Sequence, residues 1–250
     1  MVRTFTWNAK WQQIRGVVTA LSGRLLKPRC ALCQLPTNNT RRPTLCAPCY
    51  DRLPLSEQAC SCCGLPLKHQ VSPNGPQLLL CGHCQQEDSA VNRMVALGWY
   101  QTHIQHLMQR FKYHGDQVAG RALTAAWLTR CVDVDMPQVL IPVPSHQSKM
   151  RQRGFNPASV IAQDFAHYHQ LPLDESCCAR IIGGTSQAGT NKAQRKRQVN
   201  GMYQVEPCNY HHIAIVDDVV TTQATVNNLA QQFKNHGVER VDVWCIARTP

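Results

Sequence analysis

Residues 213 to 225 read Ile-Ala-Ile-Val-Asp-Asp-Val-Val-Thr-Thr-Gln-Ala-Thr, and no other stretch restricts the fold so tightly. Ile213 to Val216 is short, apolar and partly β-branched, the composition of a strand covered on both faces, as in a parallel sheet. On this reading the strand stops at Asp217 and Asp218. From Ala224 to about His236 the apolar residues Val226, Leu229, Ala230 and Phe233 recur at helical spacing, and Gly237 supplies a stop. Strand, polar turn and helix in that order place the turn at the carboxyl end of the strand, where open α/β sheets take their ligands.

Such a turn suits an anion. The opening N–H groups of a helix lack intrahelical acceptors and form the positive end of its dipole, and Thr221, Thr222 and Thr225 add hydroxyl donors. Asp217 and Asp218 stand one sugar length away, placed to accept from ribose hydroxyls or to hold water around Mg²⁺. Apolar strand, Asp-Asp, two apolar residues and Thr-Thr-x-x-Thr together resemble the phosphoribosyl pyrophosphate (PRPP) signature of type I phosphoribosyltransferases. By that resemblance Asp217, Asp218, Val219, Val220, Thr221, Thr222, Gln223, Ala224 and Thr225 make a PRPP site, with Mg²⁺ accompanying the ligand. Gln223 departs from the pattern, which has a small residue, most often Gly, where backbone must approach phosphate closely.

The amino-terminal third carries different chemistry. Of fourteen cysteines, eight form four Cys-x-x-Cys pairs: Cys30/Cys33, Cys46/Cys49, Cys60/Cys63 and Cys81/Cys84. Each pair can present two thiolates from one tight turn, and two pairs complete a tetrahedral Zn²⁺ site. Two zinc ions bound by successive pairs is the favoured arrangement; one zinc with a vestigial second site, crossed pairing and redox-active dithiols are the alternatives. His69 and His83 lie close enough to substitute as ligands but read as loop residues, and Cys62 as a bystander. Ribbons this small bury little core, so bound metal would supply their folding energy.

Length and composition set outer bounds. With 250 residues and 43% hydrophobic content the chain can bury a real core, and no run approaches the roughly 18 apolar residues of a membrane span. A net charge of +11 favours polyanions as partners but also merely keeps a protein in solution. Residues 1 to 29 are basic, with Trp7, Trp11, Ile14, Val18, Leu21 and Leu25 along one helical face; such a helix can pack on the protein itself or lie on a membrane surface. Arg15 and Arg24 interrupt it as a secretory signal.

Between the cysteines and the acidic pair, residues 94 to 100 read as a strand and Ile104, Leu107, Met108 and Phe111 as a helical face. A second helix runs from Asp116 to about Cys131. Val139 to Pro144 is a strand ending in a Pro-rich turn, followed by Lys149, Arg151 and Arg153 in a basic turn and a helix capped by Asn156 and Pro157. In a parallel sheet that basic turn shares an end with Asp217 and Asp218, where it can meet pyrophosphate or remain a solvated loop. Residues 180 to 203 form a cationic loop that can close over an anionic substrate or contact nucleic-acid phosphates. Val241 to Ala247 is a final strand, apolar except at Asp242.

Cys-x-x-Cys pairs, Phe-Lys-Tyr-His-Gly, Pro-Val-Pro with Arg-Gly-Phe-Asn, an Arg/Gln-containing loop and the Asp-Asp turn together resemble the ComF/GntX family over nearly the whole chain. The resemblance implies an α/β fold, a type I phosphoribosyltransferase-like parallel sheet with flanking helices, preceded by a small zinc-ribbon domain of the four-cysteine type. It divides the chain into an amphipathic helix (1–29), a double zinc-ribbon region (30–88) and a phosphoribosyltransferase-like domain (89–250). It implies a cytoplasmic protein, able to associate with membranes through partners, that serves DNA uptake or the use of external DNA. Lys112, Arg153, Asn156, Gln187 and Arg195 fall at family-like positions for pyrophosphate or loop contacts, while Gln198 stands where the family has Asn. Three functions stay open. One is a phosphoribosyltransferase with an unidentified acceptor; another is a non-catalytic regulator that senses PRPP and holds single-stranded DNA or DNA-uptake machinery; the third is a purely structural zinc adaptor, for which the Asp-Asp turn would be dispensable. Aromatic residues, at 6%, show no spaced basic-aromatic repeat of the kind that stacks bases.

Overall fold

The computed structural model describes residues 28–37, 45–67, 79–87, 89–181 and 202–250. The helix expected at the amino terminus, up to Lys27, most of the cationic loop, His69, Gln187, Arg195 and Gln198 lie outside the described residues.

Four parallel strands form the central sheet: β1 (Arg93–Trp99), β2 (Val139–Pro142), β5 (His212–Val220) and β6 (Arg240–Arg248), in the order β1-β6-β5-β2. Buried on both faces, they read as apolar runs rather than alternating ones. On one face lie α3 (Thr102–His114), α4 (Gln117–Arg130) and α6 (Pro157–His169), which bury Phe111, Trp127 and Phe165 against Leu140, Val216 and Trp244. On the other lie α7 (Ala224–Asn235) and the hairpin β3 (Cys178–Arg180) with β4 (Tyr203–Val205). The sequence reading located the four sheet strands and α3, α4, α6 and α7. It missed the hairpin, too short to show a period, and the helix α5 (Gln147–Arg153) inside the basic turn, whose polar composition leaves no apolar stripe.

The largest correction concerns β5. It does not stop at the acidic pair but continues to Val220, with Asp217 opposite Cys245 and Val219 opposite Ala247 in the parallel ladder. Alternation therefore sends neighbouring carboxylates to opposite faces of the sheet. At the strands' amino ends Asp242, 1% exposed, is held by Arg240 and His212, which accounts for an acid inside an apolar strand.

The cysteine region is a repeated unit. Cys30-Ala-Leu-Cys-Gln-Leu-Pro36 and Cys60-Ser-Cys-Cys-Gly-Leu-Pro66 make the same tight turn, with a left-handed residue after the second cysteine, Gln34 (φ 61°) in one and Gly64 (φ 66°) in the other. Each is completed by a Cys-x-x-Cys on a one-turn helix, α1 (Ala47–Tyr50) or α2 (Gly82–Gln86). The first ribbon's Cys30, Ala31, Leu45 and Cys49 join the same core as Phe111 and Trp127. Between the ribbons, residues 54–61 run along the outer edge of β1, where Trp99 N–H donates to Pro54 O (2.7 Å) and Met94 N–H to Ser61 O (2.7 Å). A Cβ at Gly98 would collide with the Pro54 carbonyl, so only glycine permits this approach.

Candidate functional site

Two clusters of four sulfurs are the clearest sites. Cys30, Cys33, Cys46 and Cys49 form one and Cys60, Cys63, Cys81 and Cys84 the other, all Sγ atoms of each lying within 4.8 Å of one another. The separations Cys33–Cys46 and Cys63–Cys81 are both 3.7 Å, close to the edge of about 3.8 Å that a tetrahedron with Zn–S bonds of about 2.3 Å requires. Backbone amides aim at the sulfurs, as thiolates demand: Leu32 and Cys46 N–H at Cys30 (3.4 Å) and Cys81 N–H at Cys60 (3.3 Å). At Cys30, burial pushes the thiol up but the amides of Cys33, Cys46 and Leu32 outweigh it and bring it down to about 6; Cys60, with the same balance, comes to about 7. The donor sets fit two zinc ions, paired between successive Cys-x-x-Cys turns as the spacing favours. Cys62 is outside the cluster, its thiol donating to Val91 O, and His83 is exposed beside Glu87.

The second site is built at the carboxyl end of β5. Asp218 faces α3 and receives Lys112 Nζ at 2.9 Å, both side chains largely enclosed (14% and 13% exposed). Asp217 is half-buried; its Oδ1 accepts the Asp218 N–H at 2.8 Å. Burial and then the neighbouring Asp218 charge push its carboxyl up to about 7, against the opposing pull of Lys112 and Lys149. Lys149 on α5 thus shares this end of the sheet, as expected for the loop after β2, which pairs with β5.

Next along the chain, Thr221 and Thr222 are exposed and Thr225 half-buried at the start of α7. Gln223 has φ 62°, the left-handed region that glycine adopts freely. The turn that the PRPP pattern makes with Gly is therefore made here by Gln at a cost of about 1–2 kcal/mol. Its side chain points to the second ribbon, Nε2 donating to Cys62 O at 3.0 Å.

Of the remaining candidates, Arg153 sits with its guanidinium 5.0 Å from the centre of the Tyr113 ring, and its buried Nε has no partner among the described residues. Asn156 is fully engaged in structure: Oδ1 accepts from Ser145 and Ala158, and Nδ2 donates to Val143 O and Ser159. It fixes the loop that carries Lys149 and Arg153, with no donor to spare.

Three residues outside the sequence-derived site adjoin it. Tyr203 lies within hydrogen-bond reach of Thr225 and takes Arg180 on its hydroxyl (3.2 Å). Arg248, 3% exposed, ends β6 and binds the turn from behind. An arginine closing an otherwise apolar strand was the available signal for it; Tyr203 offered none.

Comparison with known proteins agrees with this layout. Residues 21–87 match the Double zinc ribbon domain family. The chain is 28% identical over 227 residues to DNA utilization protein YhgH of Salmonella typhimurium, covering 88% of this chain and 96% of that protein. The same identity and coverage hold for DNA utilization protein YhgH of Escherichia coli K12. Competence protein F of Haemophilus influenzae is 27% identical over 214 residues, 82% of this chain and 90% of its own length. The resemblance to the ComF/GntX family is thereby borne out, in the double zinc ribbon and in relatives named for DNA utilisation and competence. Among the described residues no helix is long and apolar enough to cross a membrane.

Proposed function

We propose that this chain binds a ribose 5-phosphate ligand of the PRPP class at the carboxyl end of β5, and that it does so in the service of DNA utilisation or competence. The reading is carried by one juxtaposition: the Asp217–Asp218 pair, braced by Lys112, stands directly before a threonine turn that opens α7. Thr221, Thr222 and Thr225 with the first N–H groups of α7 hold the 5-phosphate. Asp217 accepts from the ribose hydroxyls, and Lys149 with Arg153 faces the pyrophosphate. Asp217 would help to hold the Mg²⁺ that accompanies PRPP, whose charge would favour the ionised carboxylate over the neutral form that burial promotes. The names of the relatives supply the biological setting, DNA utilisation and competence.

Calorimetric titration with PRPP and Mg²⁺ tests the site. Zinc-loaded wild type is expected to bind and Asp217→Asn/Asp218→Asn to lose binding with its zinc content unchanged. Equal affinity in the double variant would remove the acidic pair from the site.

A further inference from the structure

The two zinc ribbons repeat one another, but their turns meet different neighbours. In the first, the Ala31 carbonyl accepts from Arg110 Nη1 (2.5 Å), while Nε and Nη2 of the same guanidinium donate to Asp116, the N-cap of α4. In the second, two successive carbonyls of the cysteine turn are taken by the phosphate loop and its support. Cys62 O accepts from Gln223 Nε2 (3.0 Å) and Cys63 O from Arg248 Nε (2.8 Å). The same guanidinium donates through Nη1 to Val220 O (3.2 Å), to Thr221 O and to Thr249 O (2.6 Å).

Arg248 thus joins the backbone of the turn that carries Cys60 and Cys63 to the backbone on which Thr221 and Thr222 are mounted. The closeness is built in at Gly64 as well. A Cβ there would lie 2.7 Å from Met94 Sδ and 3.5 Å from Arg248 Cγ, whereas the equivalent Gln34 of the first ribbon is exposed. Burial leaves these carbonyl groups and the guanidinium with little water to replace a lost partner, so the arrangement is all or nothing.

We infer that Arg248 and Gln223 are positioning residues that couple the second four-cysteine site to the phosphate loop, so that metal at Cys60, Cys63, Cys81 and Cys84 and anion at Thr221, Thr222 and Thr225 raise each other's affinity, while the first site is uncoupled. Reciprocity is required of any such linkage: whatever metal does for the anion, the anion does for the metal. This inference rests on the ribose 5-phosphate reading above.

Pulsed alkylation of the zinc-loaded full-length protein, with and without saturating ribose 5-phosphate, reads each cysteine separately by peptide mass. The ligand is expected to slow modification of Cys60, Cys63, Cys81 and Cys84 about 5-fold or more, the lower end of ordinary coupling. Cys30, Cys33, Cys46 and Cys49 should react at unchanged rates. Arg248→Met should weaken ribose 5-phosphate binding about 10-fold or more and erase the selective protection. Gln223→Gly keeps the turn's backbone at ease and removes only the Cys62 contact, so it carries the test should Arg248→Met lose its zinc; it is expected to reduce the protection while still binding two metal ions. Wild type that binds ribose 5-phosphate without selective protection overturns the coupling alone, as does full protection in Gln223→Gly. Wild type that binds no ribose 5-phosphate overturns the phosphate reading and this inference with it.

Discussion

Lys112 Nζ lies 2.9 Å from Asp218 Oδ1, an ion pair between the last turn of α3 and the carboxyl end of β5 with both side chains largely out of water. Its adjacent carboxylate, Asp217, has no such close cation among the described residues, and burial with the Asp218 charge makes it resist ionisation. Two neighbouring aspartates therefore differ in what holds them, and their substitutions should differ in sign.

Asp218→Asn removes the anion opposite an enclosed ammonium. The variant is expected to lose about 1–3 kcal/mol, less than the cost of breaking a fully buried pair because some water reaches both groups. Denaturant unfolding at pH 7.5 measures it. Replacing Lys112 by Met together with Asp218→Asn should recover part of the loss.

Asp217→Asn should instead stabilise the ligand-free protein, and its effect should depend on pH. In the unfolded chain this carboxyl ionises near its ordinary value of 3.8, in the folded chain at about 7. Below both values it is neutral in either state. As pH rises between them the unfolded chain gives up the proton first, so the folded state loses stability, and the loss is complete above about 7. The melting temperature of Asp217→Asn is expected to exceed that of wild type by a margin that widens from pH 5 to pH 8, corresponding to about 1–2 kcal/mol for a half-buried group. A margin independent of pH would show that Asp217 is ionised throughout.

Asn156→Ala deletes four hydrogen bonds at once, among them the N-cap of α6. It is expected to destabilise by about 1–2 kcal/mol and to weaken anion binding through Lys149 and Arg153. Asn156→Ser, which can still cap, should recover the part of the stability that the cap supplies but not the ties to Val143 and Ser159.

Chelation offers a comparison between the ribbons. The first ribbon packs into the main core and the second buries only a small cluster around Cys60, Cys62 and Cys63, so metal loss should unfold the turns and expose Cys62, which is 6% exposed in the folded chain. Cys62 reactivity after addition of a strong chelator therefore reports the second ribbon independently of its ligands. Cys62 that stays protected in metal-free protein would mean that Gln223 and Arg248 hold the turn unaided.

Much of the sheet was legible because the chain announces it. Ile213–Val216 and Val139–Ile141 are apolar runs bounded by breakers, and the helix faces of α3, α6 and α7 carry their residues at helical spacing. The extension of β5 through Asp217 was not legible, because two carboxylates in a strand contradict local propensity and are tolerated only where the sheet's carboxyl end meets Lys112 and Lys149. Metal pairing followed from spacing. The tie between the second ribbon and the threonine turn did not, since Cys62, Cys63, Gln223 and Arg248 meet through main-chain carbonyls, whose partners leave no trace in residue type.

The strap of residues 54–61 along β1 has a consequence for the life of the chain before it is metal-loaded. β1 is an outermost strand, and Pro54, Ser56 and Ser61 occupy hydrogen-bonding groups that would otherwise face solvent. An uncovered strand edge of this kind recruits strands from other molecules. The segment between the ribbons is thus a built-in guard against self-association, and a chain made without zinc, its strap unanchored at both ends, would be prone to aggregate through β1 rather than simply lie unfolded.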